Sequence, residues 1–188
     1  MTTRTRRAST EPSAAGTTPS ARYLELVRSS RRELEDIFLR GWMPDLSSLC
    51  GWEFRGANNP QIVMRRLGIG KFIKGFERRD DAVYGYNRPV AQNALIEAWI
   101  PRPRRFGWYL VAPVDPTARD NKYLHAALLD YGRGGNRVID PTRGLRDYLV
   151  LVDQGNPDLY LGKAYYAVGP ARVAANFFVL ERLRPAQI

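Results

Sequence analysis

The spacing of apolar residues changes character near residue 50. Before it, Tyr23, Val27, Leu34, Ile37 and Phe38 recur at helical intervals with Leu24 beside them, and Arg28, Arg31, Arg32, Glu35 and Asp36 take the opposite side. The pattern predicts one amphipathic helix over residues 20–40, lying on an apolar surface because its stripe cannot stay in water. Ser20 offers an N-cap, Gly41 a stop, and Pro44 prevents resumption. Residues 1–19 carry Thr, Ser, Ala, Pro and Arg without an apolar period and read as a disordered arm.

From Gly51 onward, short runs of β-branched and aromatic residues alternate with turn clusters. Strands are predicted over 52–55, 66–78, 83–86, 90–100, 108–112, 123–131, 145–152, 159–168 and 172–183. Asn87-Arg88-Pro89, Asp115-Pro116-Thr117 and Asp140-Pro141-Thr142 have the chemistry of turns between them. No strand–helix alternation appears, which argues against a Rossmann-type sheet. A long meander leaves two open edges unless the sheet closes on itself. The expected architecture is therefore mainly β: an antiparallel up-and-down barrel with one N-terminal amphipathic helix, a single domain over residues 20–188. A two-sheet sandwich is the alternative. Glycines within the runs, such as Gly75, Gly85 and Gly162, suit the coiling of a small barrel.

Gly51-Trp52-Glu53-Phe54 stands where the helix gives way to the first strand. This layout resembles the calycin, or lipocalin-like, barrels, which place Gly-x-Trp there. Here the spacing is Gly-Trp, and the lipocalin disulfide is absent. Over residues 20–183 the layout is also similar to the lipocalin-like cyclases of bacterial polyketide pathways. That resemblance implies an apolar cavity and ring closure of long apolar polyenes, with an N-terminal segment over the barrel mouth. It rests on layout and carries no functional residue over.

Composition narrows the chemistry. Cys50 is the only cysteine and His125 the only histidine, so one chain supplies neither a Cys/His zinc site nor a Ser-His-Asp triad. An all-carboxylate cation site remains open, although no EF-hand loop is present. The lone cysteine fits a reducing compartment, and the N-terminus lacks the apolar core of a secretory signal, so a cytoplasmic location is expected. No segment approaches the roughly 20 apolar residues of a membrane helix, and no membrane partner is expected. Gly68-Ile69-Gly70-Lys71 has neither the phosphate-loop nor the dinucleotide spacing and reads as bent strand. No cofactor is implied. The formal net charge of +10 concentrates between Arg65 and Arg105, close to Trp99 and Trp108. That mixture of cations and rings carries a weaker second reading, a binder of nucleic acid or another polyanion.

The remaining candidates depend on which strand face points inward. Asp147 alternates with Leu145, Leu149 and Leu151, where a carboxylate would have a raised pKa unless paired and could act as an acid or base. Lys163 and Tyr165 share a face with Leu159 and Leu161, and join Asp147 as candidate catalytic groups. Trp52, Asn93, Trp108, Tyr148, Asn176 and Phe178 are candidate ligand contacts, a few polar groups among apolar ones as in most ligand pockets. Structural hydrogen bonds or an outward face are the plain alternative for each. His125 and Glu53 are weaker candidates of the same kind. The reading expected from these residues is a barrel that binds a small apolar organic molecule, as a cofactor-independent cyclase or isomerase. A carrier without catalysis is the alternative.

Overall fold

The computed structural model describes residues 18–186. The arm expected over residues 1–19 lies outside the described residues except for Thr18 and Pro19. Eight antiparallel strands follow one another around a closed barrel in sequence order. They are β1 (Trp52–Asn59), β2 (Lys71–Arg79), β3 (Ala82–Pro89), β4 (Phe106–Pro113), β5 (Ala127–Asp130), β6 (Leu145–Leu151), β7 (Leu159–Val168) and β8 (Ala171–Pro185). Closure runs through β1 and β8, where Gly56 faces Leu180, and Phe54 of β1 faces Lys74 of β2. The expected barrel is thus present, with corrected strands. Residues 90–100 form no strand beyond a single bridge from Val90 to Pro101. The run 66–78 begins instead at Lys71, after helix α4 (Gln61–Arg66). The run 123–131 is strand only over β5.

The predicted N-terminal helix is two helices, α1 (Ala21–Arg28) and α2 (Arg31–Leu39). The break has a local cause. Ser30 accepts a hydrogen bond from the Glu33 backbone N–H, and the Glu33 side chain accepts one from the Ser30 N–H, a capping box that starts a new helix. Both helices lie on the outer wall. Tyr23, Leu26, Val27, Leu34 and Phe38 are buried there in one cluster with Ala57, Leu161, Phe177 and Val179. They serve as wall, and the mouth is left to other segments.

Alternation sends the other strand faces inward. Phe54, Phe76, Tyr109 and Tyr160 meet edge to face, with ring centroids 5.5–5.8 Å apart, and fill one half of the interior with Leu129, Leu149 and Leu180. The short helix α3 (Leu46–Leu49) closes that end, with Leu49 fully buried against the interior cluster. Two glycines make room for the rings. A Cβ on Gly85 would stand 2.1 Å from the Tyr109 ring, and one on Gly162 would stand 2.0 Å from the Phe178 ring. The other half of the barrel is hollow.

Candidate active site in the barrel mouth

A cavity of about 310 Å³ occupies the hollow half. It lies at the end carrying the connections β1–β2, β3–β4, β5–β6 and β7–β8. Phe72, Phe106, Leu145, Ala164 and Phe178 supply its apolar wall, Asn58 and Asn176 part of its rim, and Gly68-Ile69 a flap beside α4. Ile69 is 51% exposed while lining the cavity, so the cavity meets solvent beside it.

Four polar side chains in the lining form one network. Lys74 of β2 donates to Asn87 Oδ1 at 3.1 Å, to the Tyr131 hydroxyl and to Asp147 Oδ2 at 3.1 Å. All three ammonium protons are therefore used. The Tyr131 hydroxyl accepts a second hydrogen bond from Asn87 Nδ2 and donates to Asp147 Oδ2 at 3.2 Å. Rings surround the ammonium, with Tyr109, Tyr131 and Phe178 centroids 4.6–5.2 Å from it. Asp147 Oδ1 has no hydrogen-bond partner. Burial pushes the Asp147 carboxyl above its ordinary range, and the Lys74 charge and hydrogen bond pull against it. Burial likewise pushes Lys74 down, opposed by Asp147. The hydrogen-bond count sides with the ionised pair, because only an ammonium has three protons to give and Oδ2 accepts two of the five donations.

The nine residues singled out from the sequence divide into three groups. Asp147, Asn176 and Phe178 line the cavity. Trp52 stands at the closed end, beneath the Arg182 guanidinium at 4.4 Å. The other five lie outside the barrel lumen. Lys163 and Tyr165 sit under α2, where Lys163 donates to Glu35 and to the Tyr123 hydroxyl at 2.7 Å, and Tyr165 pairs with Tyr123. Tyr148 packs between the rings of Tyr123 and Tyr165 on the same wall. Asn93 accepts from Lys71 Nζ in the β3–β4 connection. Trp108 faces outward under Arg79. The inward faces of β4, β6 and β7 correct the expected place of Trp108, Tyr148, Lys163 and Tyr165, and the missing strand over 90–100 corrects that of Asn93.

Two weaker candidates are structural in setting. Glu53 binds Arg88, Arg184 and Tyr86 on the outer face of β1. Burial pushes its carboxyl up, and the hydrogen bonds and charges of the two arginines outweigh this to hold it low. His125 Nε2 meets the Phe38 carbonyl.

Sequence reasoning missed Lys74, Asn87 and Tyr131 as site residues. Phe72-Lys74-Phe76 carries the same alternation that marked Asp147, but the surrounding cations made Lys74 read as surface. Among the described residues, no cluster of three or more His, Cys, Asp or Glu side chains is placed to hold a metal ion. No protein-family model matches the chain, and no curated protein matches it.

Proposed function

We propose that the barrel binds a small, mostly apolar organic molecule in the mouth cavity and uses Asp147 as a proton acceptor in a cofactor-independent cyclisation or isomerisation. The observation that carries this reading is the unpartnered oxygen of a buried carboxylate in the wall of an apolar cavity. The cavity volume is at the lower end of the usual ligand-pocket range. Every proton of Lys74 and both sides of the Tyr131 hydroxyl are engaged, so the open valence of the network is an acceptor. The matching ligand end is a hydrogen-bond donor such as an alcohol, phenol or N–H. A ligand carboxylate would meet a second negative charge there. In a ring closure or isomerisation, hydrogen is redistributed within the substrate. The proton that Asp147 Oδ1 accepts is returned to the product, so no oxidant or reductant is consumed. Lys74 and Tyr131 hold the carboxylate in place and stabilise its charge.

The polyanion reading has less support. Within the stretch 65–105, Lys71 and Lys74 are buried, Arg88 is paired with Glu53, and Arg78 and Arg79 stand at the closed end. These five therefore stand apart from Arg65, Arg66, Arg102, Arg104 and Arg105, which lie in the two open-end connections.

The test is direct. Full-length protein is extracted with organic solvent and the extract analysed by mass spectrometry, alongside displacement of a fluorescent apolar probe. The reading expects a co-purifying apolar compound, or saturable probe binding that a Phe178→Trp substitution weakens by filling the cavity. Probe binding unaffected by Phe178→Trp, with an empty extract, would overturn it. A ligand that binds and returns unchanged would support the carrier form and remove the catalytic one.

A further inference from the structure

Sorting the connections by barrel end separates charge in a way the linear sequence hides. The four connections at the open end, 60–70, 90–105, 131–144 and 169–170, hold eight arginines and two carboxylates. The three that leave the closed end, 80–81, 114–126 and 152–158, hold six aspartates against Arg119 and Lys122, but Asp120 reaches back along the wall to Arg146 and Arg172, and Asp158 pairs with Arg182. The two open-end carboxylates are engaged with backbone: Glu97 accepts from the Ala94 N–H and Asp140 from the Thr142 N–H. Arg65, Arg66, Arg102, Arg104, Arg133 and Arg137 are exposed. Positive charge is thus gathered around the cavity, while the closed end, with Arg78, Arg79 and Arg182 among its aspartates, is mixed.

The same end carries bare aliphatic side chains. On α4 and its flap, Ile62 is 66% and Leu67 66% exposed, beside Val63 and Ile69. Across the mouth, in the β5–β6 connection, Val138 is 86% and Ile139 88% exposed. Soluble surfaces seldom leave so many large aliphatics uncovered around one opening. These two groups flank the mouth from strands on opposite sides of the barrel, each with its own arginine pair, Arg65-Arg66 and Arg133 with Arg137.

From this juxtaposition we infer that the open end docks on the surface of an anionic lipid bilayer, with the barrel mouth against the headgroups. Charge complementarity selects the partner. Arginines meet anionic headgroups and the aliphatic tips enter the acyl boundary, and both stand at the open end, which orients the molecule. A nucleic acid would satisfy the arginines but leave the aliphatic tips in water. Among the described residues no helix is long and apolar enough to cross a membrane, and a surface contact needs none. The expectation of no membrane partner rested on spanning alone. An apolar ligand dissolved in the bilayer would then reach the cavity without crossing water.

Co-sedimentation of the full-length protein with vesicles tests this. Binding is expected to vesicles of phosphatidylcholine mixed with phosphatidylglycerol, with little to phosphatidylcholine alone, and it should fall steeply with added salt. Arg65→Glu with Arg66→Glu should weaken binding by about tenfold or more. Val138→Asp with Ile139→Asp should weaken it comparably with no change in melting temperature, since both side chains are exposed. No binding to the anionic vesicles at low salt would overturn the inference. So would an undiminished Val138→Asp/Ile139→Asp variant that binds single-stranded DNA as tightly as vesicles, an outcome that points to a general polyanion site.

Discussion

Taking an ammonium and a carboxylate out of water costs several kcal/mol for each, and their attraction repays this only when the geometry leaves no valence unused. Lys74 meets that condition and Asp147 does not. An unpartnered buried acceptor costs about 1–3 kcal/mol, which a donor on a ligand would offset. Lys74→Met strands the carboxylate, and urea unfolding should show a loss of about 3–5 kcal/mol. Lys74→Met combined with Asp147→Leu should recover most of it. A neutral single variant would mean that the pair is not ionised in the folded protein. The pH dependence follows from the raised Asp147 pKa. A donor ligand needs the carboxylate, so affinity should be full above the folded-state pKa and fall as pH drops through it. That acid limb should lie above the pH of an ordinary aspartate and vanish in Asp147→Asn, as titration calorimetry across pH would show. Asp147 was legible in the sequence because it shares a face of β6 with Leu145, Leu149 and Leu151, although residues 147–150 are buried on both faces and Tyr148 was misplaced for that reason. Lys163 and Tyr165 were not, because β7 is buried on both faces through most of its length, by the lumen on one side and α2 on the other. Alternation cannot tell those two faces apart.

At the scale of elements, the N-terminal stripe was read correctly as apolar and misread as continuous. Ser30 and Glu33 carried the capping signal within it. The run 90–100 has the apolar content of a strand, but its residues serve a loop. Lys71 donates to Asn93 and to the Ala94 carbonyl there, and its ammonium lies 4.3 Å from the Trp99 ring. Burial pushes Lys71 down to about 8. Helices α1 and α2 bury five large apolar side chains on the wall. At about 1.5–3 kcal/mol each, that is on the order of 10 kcal/mol, comparable with the net stability of a whole domain. Deleting residues 1–17 should therefore leave the melting temperature unchanged. Deleting residues 1–40 should bare Leu161, Phe177 and Val179 and yield aggregated or unfolded protein. A soluble barrel of equal melting temperature after the longer deletion would show that the helices contribute nothing to the core.

At the scale of the molecule, closure was legible because a strand meander of this length has edges to hide, and the structure closes it at eight strands. Which end stays open was not legible. It depends on Phe54, Phe76, Tyr109 and Tyr160 meeting in one half of the lumen and on α3 plugging that half, contacts between residues far apart in sequence. The hollow half, and the Lys74–Asp147 pair within it, make up the central claim. Calorimetric titration of a small apolar alcohol or phenol and of its methyl ether tests that claim most directly, in the wild type and in Asp147→Asn. Loss of one hydrogen bond to a charged group corresponds to about 1.5–3 kcal/mol, or roughly tenfold to a hundredfold in affinity. The wild type should favour the alcohol over its ether by that margin, and Asp147→Asn should lose most of the preference while still binding the ether. Equal affinity for the two compounds in the wild type would contradict a donor-seeking carboxylate at Asp147, and binding of neither compound would contradict the cavity as a ligand site.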